Sequence, residues 1–395
     1  MRESWRWFGP DDPVSLTDIR QTGATDIVSA LHNIPIGKPW PREAIQAHKA
    51  MIEGHNDTMA PLHWTVVESI PVHEDIKLAA PGHQKYIDNW IVTLGNLAAE
   101  GIKTICYNFM PVIDWTRTDL KYQLPSGAFA LRFDQDKFAA FDLFILQRRD
   151  ARDDYTGDEF DRAARLFETM TPEEIAALTQ TVIAGLPGKM TEAYSLDDFR
   201  MALARYRHVD HAMLRKNLSG FLAKILPHAE EVGIKLAIHP DDPPWDMFGL
   251  PRVICTPDDL DRLFGELPSP ANGMTLCVGT YGSRPDNDLP QMALDYATRI
   301  HFAHLRGVTR DPDEQRSFYE ASHLDSDIDM VQVIHHLLDN ERALQQEIFI
   351  RPDHGHQMMD DVNRDVNPGY SVIGRMKGLA EIRGVIKALT DVRVR

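Results

Sequence analysis

Short runs of β-branched and aromatic residues recur along the chain, each followed by a polar break and then by residues of helical period. The runs lie at 5–8, 26–31, 64–68, 104–109, 235–239, 274–277, 300–304 and 348–352. Their length and composition suit strands in a pleated core. Helical period fills 16–23, with Ser15 placed as an N-cap, and also 41–53, 86–101 and 214–232. Residues 9–13 and the polar stretch 54–61 read as loops. Eight strand and helix units predict an α/β fold in which residues 1–395 form one (β/α)8 TIM barrel. No GxGxxG or Walker A pattern follows any strand, which removes the main open-sheet alternatives.

The rhythm breaks once. From 115 to 211 no inward-facing strand series is evident, and charged helical stretches take its place, including 150–155 and 160–170. Thr171-Pro-Glu-Glu174 has the form of a helix start, with Thr as N-cap, Pro at N1 and Glu at N3. The pattern predicts a mostly helical insertion after the fourth strand, at the barrel end where active sites form. Its apolar stripe of Phe160, Ala164 and Phe167 needs cover, from the barrel, from a second subunit or from both. A lateral wall or partial lid is expected, together with a homo-oligomer, a dimer or higher.

Composition narrows the partners. The formal charge of −17 argues against nucleic acid, whose binders present basic faces. It leaves room for an anionic small molecule held by local arginines or a metal. Cys106, Cys255 and Cys277 are too few and too scattered for a disulfide framework. No apolar stretch reaches the roughly 18 residues of a membrane span, and the N-terminus lacks a signal-peptide core. A cytoplasmic location without membrane partners is the expectation.

Four of the later strands end in potential metal ligands: His239, Cys277, His304 and Asp353. Alone, each has an ordinary reading, as a hydrogen-bonded core histidine or a buried thiol. Together, at the same end of successive barrel strands, they point to one ion. A mixed nitrogen, sulfur and oxygen shell excludes Ca²⁺ and suits Fe²⁺, Mn²⁺, Co²⁺ or Zn²⁺. His301, at odd spacing to His304, and His335-His336, on a surface helix, read as structural. Asp241-Asp242 would either orient His239 or simply build a turn. Arg306 is a candidate partner for an anionic substrate, with His32 and Asn108 at the ends of the second and fourth strands as further contacts. His354 and Tyr370, the latter on an Asn367-Pro-Gly-Tyr turn, are candidate proton-transfer groups.

Several stretches, WRWFGPDDPVSL, VVESIPVHEDIK, CYNFMPVIDWTRTDL, IHPDDPP, RPDHGHQM and NPGYSVIGRMKGLAEIRGV, resemble the D-mannonate dehydratase family in its long, proteobacterial-type form. The resemblance spans Trp5 to about Val385. It implies a xylose-isomerase-like barrel that uses Mn²⁺ or Fe²⁺ to convert D-mannonate, a sugar acid, to 2-dehydro-3-deoxy-D-gluconate in hexuronate catabolism. The family ligands fall on His239, Cys277, His304 and Asp353, and its catalytic pair falls on His354 and Tyr370. Two departures are local: His32-Asn-Ile-Pro35, where a second His is expected, and the segment 54–63. The implied chemistry has the substrate carboxylate and C2 hydroxyl chelating the ion, with Tyr370 as phenolate base and His354 as acid. A sugar isomerase of the same fold, or a non-catalytic sugar-acid-binding metal protein, are the alternatives.

Overall fold

The first strand of the chain pairs with the last, and this pairing closes the barrel. The computed structural model describes residues 1–54, 59–183, 195–314 and 316–394. Among them the strands are β1 (Arg2–Arg6), β2 (Asp26–Ser29), β3 (His63–Glu68), β4 (Thr104–Tyr107), β5 (Asp119–Gln123), β6 (Phe129–Phe133), β7 (Lys235–Ile238), β8 (Asn272–Cys277), β9 (Ile300–His304), β10 (Gly307–Arg310), β11 (Phe318–Ala321) and β12 (Phe349–Arg351). Eight of these form a closed parallel barrel in the order β1-β12-β9-β8-β7-β4-β3-β2. Arg2 stands opposite Phe349 on one side of β1, and Ser4 stands opposite Asp26 on the other. These are the eight strands expected from the apolar runs, although β1 begins at Arg2 rather than Trp5.

Alternation along the strands sorts the side chains. Val28, Val66, Cys106, Ala237 and Phe302, one from each of five barrel strands, make a small buried cluster apart from the main core. The main core, which includes Trp5, Trp7, Ile27, Trp64 and Val67, lies between strands and helices. Local signals set the helix ends. Ser15 and Asp18 form a capping box on Leu16–Thr22, and Gly23 closes that helix with φ +82°. Of the loop expected at 54–61, residues 55–58 lie outside the described residues.

The insertion departs from expectation. It holds helices at Gly157–Thr169 and Pro172–Ile183, the second capped by Thr171 as read from the sequence. It also holds β5 and β6, which no apolar run announced. These pair antiparallel and join β10 and β11 in a four-stranded sheet ordered β10-β11-β6-β5. The partners come from opposite halves of the chain, so local periodicity carried no sign of them. The apolar stripe also finds cover within the insertion: Phe160 and Phe167 pack on Phe144, with ring centroids 5.6 and 5.2 Å apart.

Candidate metal centre and active site

Barrel strands end in polar side chains at the C-terminal mouth. His239 follows β7, its N–H still bonded to the Tyr107 carbonyl of β4 at 2.7 Å. Cys277 ends β8 and stands opposite His304, which ends β9, and His304 stands opposite Arg351 on β12. One donor atom each from His239, Cys277 and His304 lies within 4.8 Å of the others. Asp353 lies beside this group, its Oδ2 3.7 Å from Cys277 Sγ and its Oδ1 3.8 Å from His304 Nδ1.

The chemistry of this set fits a divalent ion. Among the described residues buried His304 Nε2 makes no hydrogen bond, Glu68 Oε2 standing 3.5 Å away, a costly state for a polar atom unless something binds it. Burial and Asp353 push the Cys277 thiol up, but the imidazoles of His239 and His304 more than offset them and hold it well below its ordinary value. This environment favours the Cys277 thiolate, the form that ligates. Burial lowers His239, yet the Cys277 charge lifts it to about 9. A second group, Glu68, Cys106 and His304, is equally close. There, burial and Glu68 push Cys106 well above its ordinary range. A neutral thiol is a poor ligand, and the Cys277 set is the better site.

The loop after β12 and the Asn367–Tyr370 turn are joined. Tyr370 N–H donates to the Asn367 carbonyl at 2.8 Å, and Gly369 takes φ +81°, the turn geometry that favours glycine. Gly355 N–H donates to the Gly369 carbonyl at 2.8 Å. A Cβ on Gly355 would sit 2.2 Å from the Arg375 backbone nitrogen, so only glycine permits this approach. Asp353 adopts φ +56°, a left-handed conformation uncommon for a non-glycine residue. The rings of His354 and Tyr370 consequently meet edge to face, with centroids 4.9 Å apart. Burial pushes the Tyr370 phenol up to about 12.

A single cavity brings the expected site residues together. His32, Asn108, His239, Arg306, Asp353, His354 and Tyr370 line it, while Cys277 and His304 lie fully buried. Trp115, at the start of the insertion, lines the same cavity, so this segment supplies a wall. Two supporting roles differ from expectation. His239 Nδ1 lies 2.7 Å from the Pro240 carbonyl, and that contact, not Asp241 or Asp242, orients the ring. Asp241 instead accepts from the backbone of Val253 and Ile254. Asp242 pairs with Arg117 at 2.7 Å and with Arg306 at 3.3 Å. Arg306 itself is heavily engaged, at 2.6 Å from both Asp353 and Glu320 and 3.0 Å from Thr280.

The sequence pattern that defines D-mannonate dehydratase (UxuA) matches residues 1–395. The chain belongs to the D-mannonate dehydratase family. A mannonate dehydratase of Marinomonas sp. (strain MWYL1) is 52% identical over 390 residues, 98% of each chain. One from Chromohalobacter salexigens is 51% identical over the full length of both. The crystal structure of mannonate dehydratase from Streptococcus suis serotype 2 shares 34% identity with a TM-score of 0.78, covering 100% of this chain and 96% of that one. D-psicose 3-epimerase from Clostridium cellulolyticum H10, at 8% identity and TM-score 0.52 over 98% and 99% of the two chains, shares the fold alone.

For a D-mannonate dehydratase family member, three site residues lay outside the sequence expectations: Glu68 and Arg6, which line the cavity, and Glu320, which contacts His354. Glu68 ends β3 and pairs with Arg351 at 2.8 Å. It closes an apolar run in the same way as the ligand-bearing strands, and that was its signal. Arg6 sits between Trp5 and Trp7, so strand alternation alone places it on the inner face. Glu320 sits on β11, where no apolar run marked a strand.

Proposed function

We propose that this chain is a metal-dependent hydro-lyase that converts D-mannonate to 2-dehydro-3-deoxy-D-gluconate and water. The observation that carries the reading is the buried donor set beside a His–Tyr pair, in a chain that matches the family from end to end. His239, Cys277, His304 and Asp353 would hold Mn²⁺ or Fe²⁺, whose borderline character suits their mixed donors. Such an ion supplies electrostatic stabilisation of the negative charge that develops at the substrate carboxylate.

The residues divide the proton work. Glu320 accepts from His354 Nδ1 and orients the ring, whose Nε2 takes the C2 proton in this reading. Tyr370, kept protonated by burial, donates to the C3 hydroxyl as its C–O bond breaks. Water leaves, a C2=C3 enol remains, and protonation at C3 gives the 2-keto acid. This assignment reverses the roles inferred from the sequence, because a histidine backed by a carboxylate is the better base. Arg306 then acts by holding Asp353 and Glu320 in place. His32, brought down to about 3 by burial and by the Arg6 charge, and Asn108 are neutral substrate contacts. A cytoplasmic homo-oligomer completes the reading, with light scattering as the check on assembly; the Phe160–Phe167 stripe, packed on Phe144, adds no support for it.

The deciding experiment is product analysis with D-mannonate on protein stripped of metal and reloaded with Mn²⁺ or Fe²⁺. A metal-dependent keto-deoxy acid is expected. An isomerised sugar, or no turnover, overturns the proposal.

A further inference from the structure

Three buried arginines face the cavity, and two of them are neutralised within the protein. Arg306 is shared among Glu320, Asp353 and Asp242. Arg351 lies 2.8 Å from Glu68 and 2.6 Å from Asp353. Arg6 differs. It is 6% exposed and lines the cavity, and among the described residues no carboxylate forms an ion pair with it. Among the described residues its buried NH1 has no hydrogen-bond partner. Its NH2 reaches only His32 Nε2, at 3.4 Å, and its guanidinium lies over the Phe8 ring at 4.7 Å. The backbone beneath it is pinned, because Arg375 NH1 donates to the Arg6 carbonyl at 3.0 Å.

A buried guanidinium without a counter-ion is unfavourable until an anion reaches it. Glu68, the acidic group that acts on it most strongly, already forks onto Arg351 through two contacts of 2.8 and 3.1 Å. A hexonate brings one fixed negative charge, its C1 carboxylate. We infer that Arg6, rather than Arg306, is the specificity-determining residue that binds the substrate carboxylate and selects a sugar acid over a neutral sugar. This rests on the proposed function above and adds the residue that reads the acid group.

The test compares the parent with Arg6→Gln and Arg6→Lys, using D-mannonate as substrate and D-gluconate and D-mannitol as competing ligands. For Arg6→Gln, KM should rise at least about 30-fold while kcat falls less, since a buried charge pair to the ligand is lost. Its preference for D-gluconate over D-mannitol should collapse, with metal content by elemental analysis and melting temperature unchanged. Arg6→Lys should keep the preference for the acid with a smaller rise in KM, because charge persists without the planar fork. Should the Gln variant fail to fold, a parental KM in the Lys variant counts against a fork-dependent contact. Parental KM and parental acid preference in Arg6→Gln overturn the inference. A parent that leaves D-mannonate unchanged, yet prefers D-gluconate in an Arg6-dependent way, overturns the dehydratase reading and keeps this one.

Discussion

Glu320 places its two carboxylate oxygens 2.9 and 3.0 Å from Nδ1 of His354. Burial would raise Glu320, but Arg306, His354 and Arg117 bring it down to about 2, so it is ionised and can only accept. His354 must therefore carry a proton on Nδ1, while its Nε2 lies 3.9 Å from Asp353 Oδ1. A barrel-mouth histidine is thus oriented by a residue of the accessory sheet.

Glu320→Gln removes that enforcement while nearly keeping the shape. We expect kcat to fall about 10–100-fold, the usual scale for a partner that orients a site histidine, with KM and metal content near the parent. Glu320→Asp should recover part of the loss. Steady-state kinetics with parental kcat in the Gln variant would show that the contact only fills space.

Cys277→Ser replaces a thiolate by a neutral hydroxyl at a fully buried member of the donor set. Metal and activity should be lost together, because the hydroxyl is much the weaker ligand. Elemental analysis reads this directly, and full occupancy in the Ser variant would take Cys277 out of the ligand set.

Tyr370→Phe deletes one hydroxyl from a buried ring that packs on Phe8, His354 and Arg375. The ring contacts persist, so the melting temperature should hold. Turnover should drop about 10²-fold or more, the scale of a general acid, with little change in KM. Turnover within a few-fold of the parent would reduce Tyr370 to a packing residue.

The barrel was legible because its strands are buried on both faces and read as apolar runs. The expected ligands were legible for a related reason: His239, Cys277, His304 and Asp353 are polar residues where such runs stop. Glu68 and Arg6 obey the same rule, but as ordinary charged residues they lack the His, Cys and Asp pattern that drew attention to the others. Strands β5 and β6 were not legible. Asp119–Gln123 is half exposed, and its sheet is stabilised by residues from far along the chain, as Phe133 opposite Phe318 shows. Arg117 and Glu320, which meet at 3.0 Å across that sheet, were hidden with it.

The pairing of β1 with β12 also has a consequence on the ribosome. Arg2 is made first and waits for Phe349, its partner in the closed barrel. At ordinary elongation rates that interval is on the order of 20–70 s. Throughout it the nascent chain has an open edge at β1 and a later one at β9, the kind of edge that recruits other chains. The proposed four-donor set is likewise unfinished until Asp353 emerges. A transcript cut short before codon 349 therefore yields no weakened enzyme. It yields a chain with unpaired edges and an incomplete ligand set, to be held by chaperones or degraded.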